Sequence, residues 1–350
     1  MAWAQVRLWL ACMAALVAGG CAGRVAAGPS VADGVLTWRP SGVGGDAPVV
    51  VLVSGDEEYR SEEALPQLAA ILSERHGCVC HVLFALDPVT GVIDPEVRDN
   101  IPGLELLGRA DLLIIATRFR ALPDEQMSPI DAYIRSGRPV LGLRTATHAF
   151  ASTGTYEGYA WNHAGDAWEG GFGRAILGET WIAHHGAHGS ESTRGIVDPG
   201  GIDHPILRGV GDGDIWGPTD VYRVRLPLPE DCRVLVRGEI LAGMTAEAPA
   251  VADARNDPMM PIAWTRRMPL ADGGERRVFT CTMGAASDLT SAGTRRLLVN
   301  ATLWLLDRAH EIPPVGADVR LVGRYEPSAF GFGGYRRGVR PEDIADRMTP

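Results

Sequence analysis

The sequence predicts an α/β fold in which helices cover both faces of a doubly wound, mostly parallel sheet. Three observations carry this expectation. Apolar runs at residues 48–55, 110–117 and 140–143 lack the in–out alternation of half-solvated strands and read as strands buried on both faces. Segments of helical period lie between them, at about residues 65–76 and 123–136. The resulting strand–helix alternation is the pattern that right-handed crossovers impose on a parallel sheet.

Taken in order, the chain opens with one charge at Arg7, an apolar run over residues 8–17, and Ala18-Gly19-Gly20-Cys21. The run is too short for a stable membrane span, and its flanks predict an export signal over residues 1–21. The small residues before Cys21 resemble a bacterial lipobox. That makes Cys21 the expected lipidation site and places the chain in the periplasm or cell envelope; cleavage near residues 25–27 is the alternative. Residues 22–45, rich in Gly, Ala and Pro, predict a tether, and residues 46–310 a single domain. The strand at 48–55 stops at Gly55 and is expected near the sheet centre, beside the strand at 140–143. Ser61 with Glu62 and Glu63 suits a helix start. Residues 78–86 alternate as a second strand that puts Cys78 and Cys80 on one face, and residues 104–107 form an apolar turn. Pro123 suits a first helical turn and Gly137 a helix exit.

From residue 152 to about 195 the regularity stops, in a long irregular insertion carrying four histidines and three tryptophans. A loop of this length is usually functional. Short strands are expected at 234–237, 262–265 and 277–282. A helix over 294–310 packs Leu297, Leu298, Ala301, Leu305 and Leu306 on the sheet. Residues 311–350 show no period and predict an extension that wraps the surface or stays disordered.

Composition removes several kinds of chemistry. Among 350 residues there is no lysine, and all 33 basic residues are arginine. Schiff-base enzymes, Ser–Lys dyads and Walker A loops are excluded. Cationic work falls to arginine, a planar fork for oxyanions that does not act as a base near neutral pH. A net charge of −10 argues against nucleic acid and against anionic membrane surfaces, leaving a lipid anchor as the only expected membrane contact. Cys78, Cys80, Cys232 and Cys281 are too scattered for a disulfide framework and read as buried apolar side chains.

The segment Val140-Leu-Gly-Leu-Arg-Thr-Ala-Thr-His148, the motifs Asp203-His-Pro-Ile-Leu-Arg-Gly209 and Asp220-Val-Tyr222, and the stretches 260–267, 277–284 and 295–305 occur in an order that resembles the ThuA-like (trehalose utilisation) family. The resemblance runs over about residues 48–308. The loop at 55–63 is similar to the version in exported relatives of planctomycete type. The resemblance implies a class I glutamine amidotransferase-like fold, flavodoxin-like in its sheet. Amidotransferases of that fold carry a nucleophilic cysteine at a strand-to-helix elbow, and the matching position here is Arg144. Glutamine hydrolysis is therefore not expected. The family's link to trehalose and keto-oxidised sugars implies a small carbohydrate ligand.

In an open α/β sheet, ligands bind beyond the carboxyl ends of the strands. Asp56, Glu57, Glu58 and Tyr59 follow one such end, Arg118 a second, and Arg144, Thr145 and His148 a third. Glu57 or Glu58 is the candidate general acid or base, sharing the work with one of His148, His184 or His185. Arg118 and Arg144 are expected to form an electropositive floor that stabilises an oxyanion. In the insertion, Trp161, Asn162, His163, Trp181 and His188 suit a sugar, with aromatic rings under a pyranose face and polar groups on its hydroxyls. His163, His184, His185 and His188 also supply enough imidazoles for a divalent metal, though no established zinc spacing is present. No cofactor is required by this chemistry. If the protein is an enzyme, a lyase, hydrolase or isomerase acting on a sugar derivative is expected. The rivals are a non-catalytic sugar-binding or scaffold module and a metal-dependent hydrolase. Oligomeric state is left open.

Overall fold

The computed structural model describes residues 28–40, 46–151, 154–165 and 167–348. The expected export signal and Cys21 lie outside the described residues. In chain order the elements are β1 (Ser30–Ala32), β2 (Val35–Trp38), β3 (Val49–Gly55), α1 (Ser61–His76), β4 (Val79–Leu83), β5 (Leu112–Thr117), α2 (Asp124–Arg135) and β6 (Val140–Leu143). They continue with β7 (Ala183–His184), β8 (Ser192–Val197), β9 (Trp216–Gly217), β10 (Tyr222–Arg223), β11 (Cys232–Leu241), β12 (Met260–Pro269), β13 (Glu275–Cys281), α3 (Ala292–Leu305) and α4 (Pro341–Met348).

One mixed sheet runs through the molecule in the order β1-β2-β4-β3-β5-β6-β13-β12-β11-β8-β9. Its five central strands, β4-β3-β5-β6-β13, are parallel, and antiparallel strands extend both margins. The parallel core has the flavodoxin order, with the chain reversing direction across the sheet between β3 and β5. Strand β3 therefore lies beside β5 and β4, not beside β6 as expected: β5 separates the two.

Alternation along the buried strands sorts the core into two layers. Val50 and Leu52 of β3, Ile114 of β5 and Leu141 of β6 face α1 and α3, meeting Leu65, Leu68, Ile71, Leu297 and Leu298. Val51 and Val53, Leu113 and Ile115, and Val140 face the other way onto Met127, Ile130 and Ile134 of α2. Helix α1 stops at Gly77, whose φ of 70° lets its amide reach the Ser73 carbonyl and the Cys78 amide reach that of Leu72. Helix α3 starts at Ser291, whose hydroxyl accepts the Thr294 amide at 3.3 Å.

One segment differs from expectation, and a second follows one of its two expected courses. Residues 30–38, expected within the tether, add β1 and β2 to the sheet edge and bury Leu36 and Trp38 against the α1 layer. Strands of three and four residues carry too short a pattern to read from sequence. Residues 311–348 pack on the domain throughout: Val319 and Val322 join the main core, and the Val339 carbonyl accepts the Ile93 amide at 2.8 Å. All four described cysteines are free thiols, with Cys78, Cys80 and Cys281 buried. Among the described residues, no helix is long and apolar enough to cross a membrane.

Candidate functional site

The loops leaving β3 and β5, the two strands that flank the topological switch, meet the elbow after β6 at one end of the sheet. Asp56 joins these parts. Its Oδ1 accepts the amides of Glu58 at 2.8 Å and Tyr59 at 3.1 Å, and its Oδ2 accepts the Thr145 hydroxyl at 3.0 Å. Burial raises this carboxyl to about pH 6 against the pull of those donors. The folded chain then holds a proton that the unfolded chain releases near pH 3.8, so stability falls as pH rises between about 3.8 and 6 and is level above. Asp56→Asn keeps an acceptor for the two amides and removes this slope. Relative to wild type, the variant should gain on the order of 2–3 kcal/mol between pH 3.5 and pH 7 in urea unfolding. Parallel pH profiles for the two proteins would count against a buried, proton-holding Asp56.

Glu57 is buried at the hub of three arginines. Arg118 Nη1 donates to it at 2.5 Å, Arg120 Nη2 at 2.6 Å and Arg98 Nη2 at 3.2 Å. Arg120 is itself fully enclosed and also donates to the carbonyls of Pro95, Val97 and Arg118. This neutralises half of the electropositive floor expected from Arg118 and Arg144. It also occupies Glu57 in structure, since a buried cation needs a fixed counter-charge. Arg118 keeps partial exposure, and its Nε lies 3.5 Å from Glu58. Its Nη2 has no protein partner among the described residues.

Arg144 accounts for the other half. It takes the positive φ, 43°, of a sharp strand-to-turn elbow, and a short 3-10 turn, Arg144–His148, follows. Its guanidinium is enclosed between the rings of Tyr59 (4.3 Å) and Tyr222 (3.8 Å). Nη1 donates to the carbonyls of Asp220 and Thr282, both at 2.8 Å, and Nη2 to Asp220 Oδ1 at 3.0 Å. With 1% of its surface exposed, Arg144 is a strut beneath the site.

Asp220 links that strut to the histidines. Its Oδ2 lies 2.8 Å from His184 Nδ1, and its Oδ1 lies 3.0 Å from His188 Nδ1. Burial opposes its charge, but the His184 hydrogen bond, the Arg144 charge and the His188 hydrogen bond outweigh that and hold it down at about 2. An ionised Asp220 can only accept, so both histidines carry their Nδ1 protons. In the neutral ring, Nε2 is then the lone-pair atom. His188 Nε2 sits 3.3 Å from Glu58 Oε1. His184 is 37% exposed, and its Nε2 has no protein partner among the described residues.

The pair β7–β10 sets this geometry by placing His184 opposite Tyr222. His148 is buried among Phe119, Trp181 and Tyr222, with ring centroids 4.9, 5.0 and 5.9 Å away. Burial, then the charges of Arg118 and Arg144, keep it neutral. His185 is not brought in: its Nε2 lies 2.9 Å from the Arg255 carbonyl. Trp161, Asn162, His163 and Trp181 line an adjoining cavity with Glu169, Ile182 and Arg225. Trp161 reaches the site through Phe119 (5.4 Å) and Trp181 (6.3 Å).

Residues outside the predicted set complete the arrangement: Asp220, Tyr222, Arg98, Arg120 and Phe119. Phe330, from the C-terminal extension, stacks on Tyr59 at 5.8 Å. Asp220 and Tyr222 lie in a motif visible in the sequence, but nothing local assigns it a partner. Asp203 and His204 stand elsewhere, the first paired with Arg233 and the second packed on Trp304 of α3.

Among the described residues, the only group of three or more His, Cys, Asp or Glu able to converge on one ion is His184, His188 and Asp220, whose ligand atoms lie within 4.8 Å of one another. Two imidazoles and a carboxylate fit a divalent metal with open positions. The Arg144 guanidinium on the same carboxylate works against it.

A family model described as ThuA, trehalose utilisation, matches residues 51–305. Among solved structures, a ThuA-like protein from Bacteroides uniformis ATCC 8492 is similar at 15% identity and a TM-score of 0.44, covering 78% of this chain and 98% of that one. A ThuA-like protein from Parabacteroides merdae ATCC 43184 is similar at 13% identity and a TM-score of 0.43, covering 83% and 98%. Likeness at this level says nothing about the site. No curated protein matches.

Proposed function

The chain belongs to the ThuA (trehalose utilisation) family, and from that premise we propose that its cleft binds a carbohydrate-derived metabolite of keto-sugar type and moves protons on it. The observation that carries this reading is the Asp220–His184 pair: a buried carboxylate fixes the tautomer of a part-exposed imidazole and leaves Nε2 free to face a ligand. His184 is the general base, taking a proton from the carbon beside the keto group. The electron pair of that C–H bond becomes the new C=C bond, and the carbonyl π pair moves onto oxygen, to which Arg118 Nη2 donates in this reading. In this reading the Glu58–His188 pair supplies the acid. Such chemistry suits a lyase or isomerase, and hydrolysis when water attacks next. Glutaminase activity is not part of the proposal: the elbow holds Arg144, and burial pushes the Cys232 and Cys281 thiols up to about 12. Export, with Cys21 as a lipid anchor, remains part of it on the strength of the N-terminal sequence alone.

The test is a panel of trehalose, other disaccharides and their keto-oxidised derivatives, read by calorimetry and by turnover. His184→Ala should cut turnover by roughly 10²–10⁴-fold while ligand affinity moves little. A wild-type protein that neither binds nor converts any member overturns the reading. Binding without turnover selects the non-catalytic sugar module. A second reading, metal-dependent hydrolysis, rests on the convergence of His184, His188 and Asp220. Stoichiometric zinc, manganese or iron in the purified protein, lost in His188→Ala, would promote it above acid–base catalysis by side chains alone.

A further inference from the structure

The family match ends at residue 305, yet a later segment reaches the cleft. The backbone of Gly331 is clamped on both sides: its amide donates to the Glu58 carbonyl at 2.7 Å, and its carbonyl accepts from Arg60 Nη2. Upstream, the Ser328 amide donates to Glu63 Oε2 at 2.7 Å, and the Tyr325 hydroxyl to the Ala286 carbonyl at 2.8 Å. The Gly331 bonds tie the segment to the loop that carries Glu57 and Glu58, and the other two fix it to α1 and to the turn after β13. Phe330 turns inward onto Tyr59 and His188. Phe332 does the opposite: 61% of its surface is exposed, although the backbone beside it is pinned. Its ring lies 5.0 Å from the Arg118 guanidinium, whose distance to Phe119 is 4.7 Å.

A lone exposed phenylalanine is ordinary, but one set on a held backbone beside a cation with a free donor is placed to meet a ligand. Phe119, Trp161 and Trp181 form one aromatic surface next to His184, its rings tilted 60° and 57° to their neighbours. Phe332 forms another, brought by a different part of the chain. Two platforms suit two rings, each presenting an apolar face.

We propose that Phe332 is a specificity-determining residue of the cleft, and that it selects two-ring glycosides over single sugars. This rests on the sugar-site reading above and names its substrate class. Gly333 and Gly334 allow the segment its path: Gly333 takes φ 68°, and a Cβ at Gly334 would come within 2.6 Å of Arg60 Nη2.

The experiment is calorimetric titration of wild type, Phe332→Ala and Phe332→Trp with trehalose, its keto-oxidised derivative and glucose. Because the side chain is exposed, Phe332→Ala should fold as wild type does, with an unchanged melting temperature as the control. The expected result is a loss of roughly tenfold in affinity for the two-ring ligands, less than twofold for glucose, and recovery in Phe332→Trp. A wild type that prefers the two-ring ligands while Phe332→Ala keeps the same preference overturns this assignment and leaves the parent reading standing. Equal losses for one and two rings do the same. A wild type that binds none of the three overturns both.

Discussion

Asp220→Ala is expected to lower folding stability by about 3–5 kcal/mol. The carboxylate is the counter-charge of Arg144, which is enclosed between Tyr59 and Tyr222 and has no route to water. The backbone carbonyls of Asp220 and Thr282 still accept from Nη1 in the variant, so the guanidinium keeps two hydrogen bonds but loses its hydrogen-bonded counter-charge, with only the more distant carboxyl of Asp288 left to offset it. The same change releases the Nδ1 atoms of His184 and His188. Urea unfolding reads the first consequence. Nitrogen NMR of the two imidazoles reads the second: without the carboxylate, the fixed Nδ1–H tautomer should be lost in both. A loss below about 1 kcal/mol, in the range of exposed ion pairs, would mean that Arg144 does not depend on this partner.

Glu57→Gln is the second large effect, again about 3–5 kcal/mol of destabilisation. A neutral amide in that position leaves Arg120 and Arg118 facing one another, with Arg120 fully enclosed. The diagnostic result is the double variant. Glu57→Gln with Arg120→Met removes both members of the buried pair and should recover a substantial part of the loss, because an apolar side chain of similar length replaces a stranded charge. Additive losses in the double variant would show that the two residues act independently. This prediction also separates Glu57 from Glu58. Both stand in one acidic loop, but Glu57 is consumed by three arginines, while Glu58 faces His188.

Much of the fold was legible because it follows from local pattern. The runs that became β3, β5 and β6 are apolar on both faces, and the helices between them show their period and their stops, as at Gly77 and Gly137. The places that fell short have the same physical character. Strands β1, β2, β7 and β10 have two to four residues each, below the length at which alternation is a signal. The neighbour of β3 depends on which crossover the chain takes, and no residue in β3 records that choice.

For the site, the sequence by itself determined the chemical inventory: no lysine and no cysteine at the elbow, an acidic loop after the first buried strand, arginines after two others, and a histidine- and tryptophan-rich insertion. Residue type and strand ends are local properties, so they can be read before folding. The roles were decided only in three dimensions. Arg144 became a strut because Tyr59, Tyr222 and Asp220, from distant parts of the chain, enclose it. His184 and His185 are adjacent in sequence, yet the β7–β10 pairing sends the first to Asp220 and the second to the Arg255 carbonyl. A charged group's function depends on which partner neutralises it and on whether water can reach it, and both are set by contacts across the whole chain.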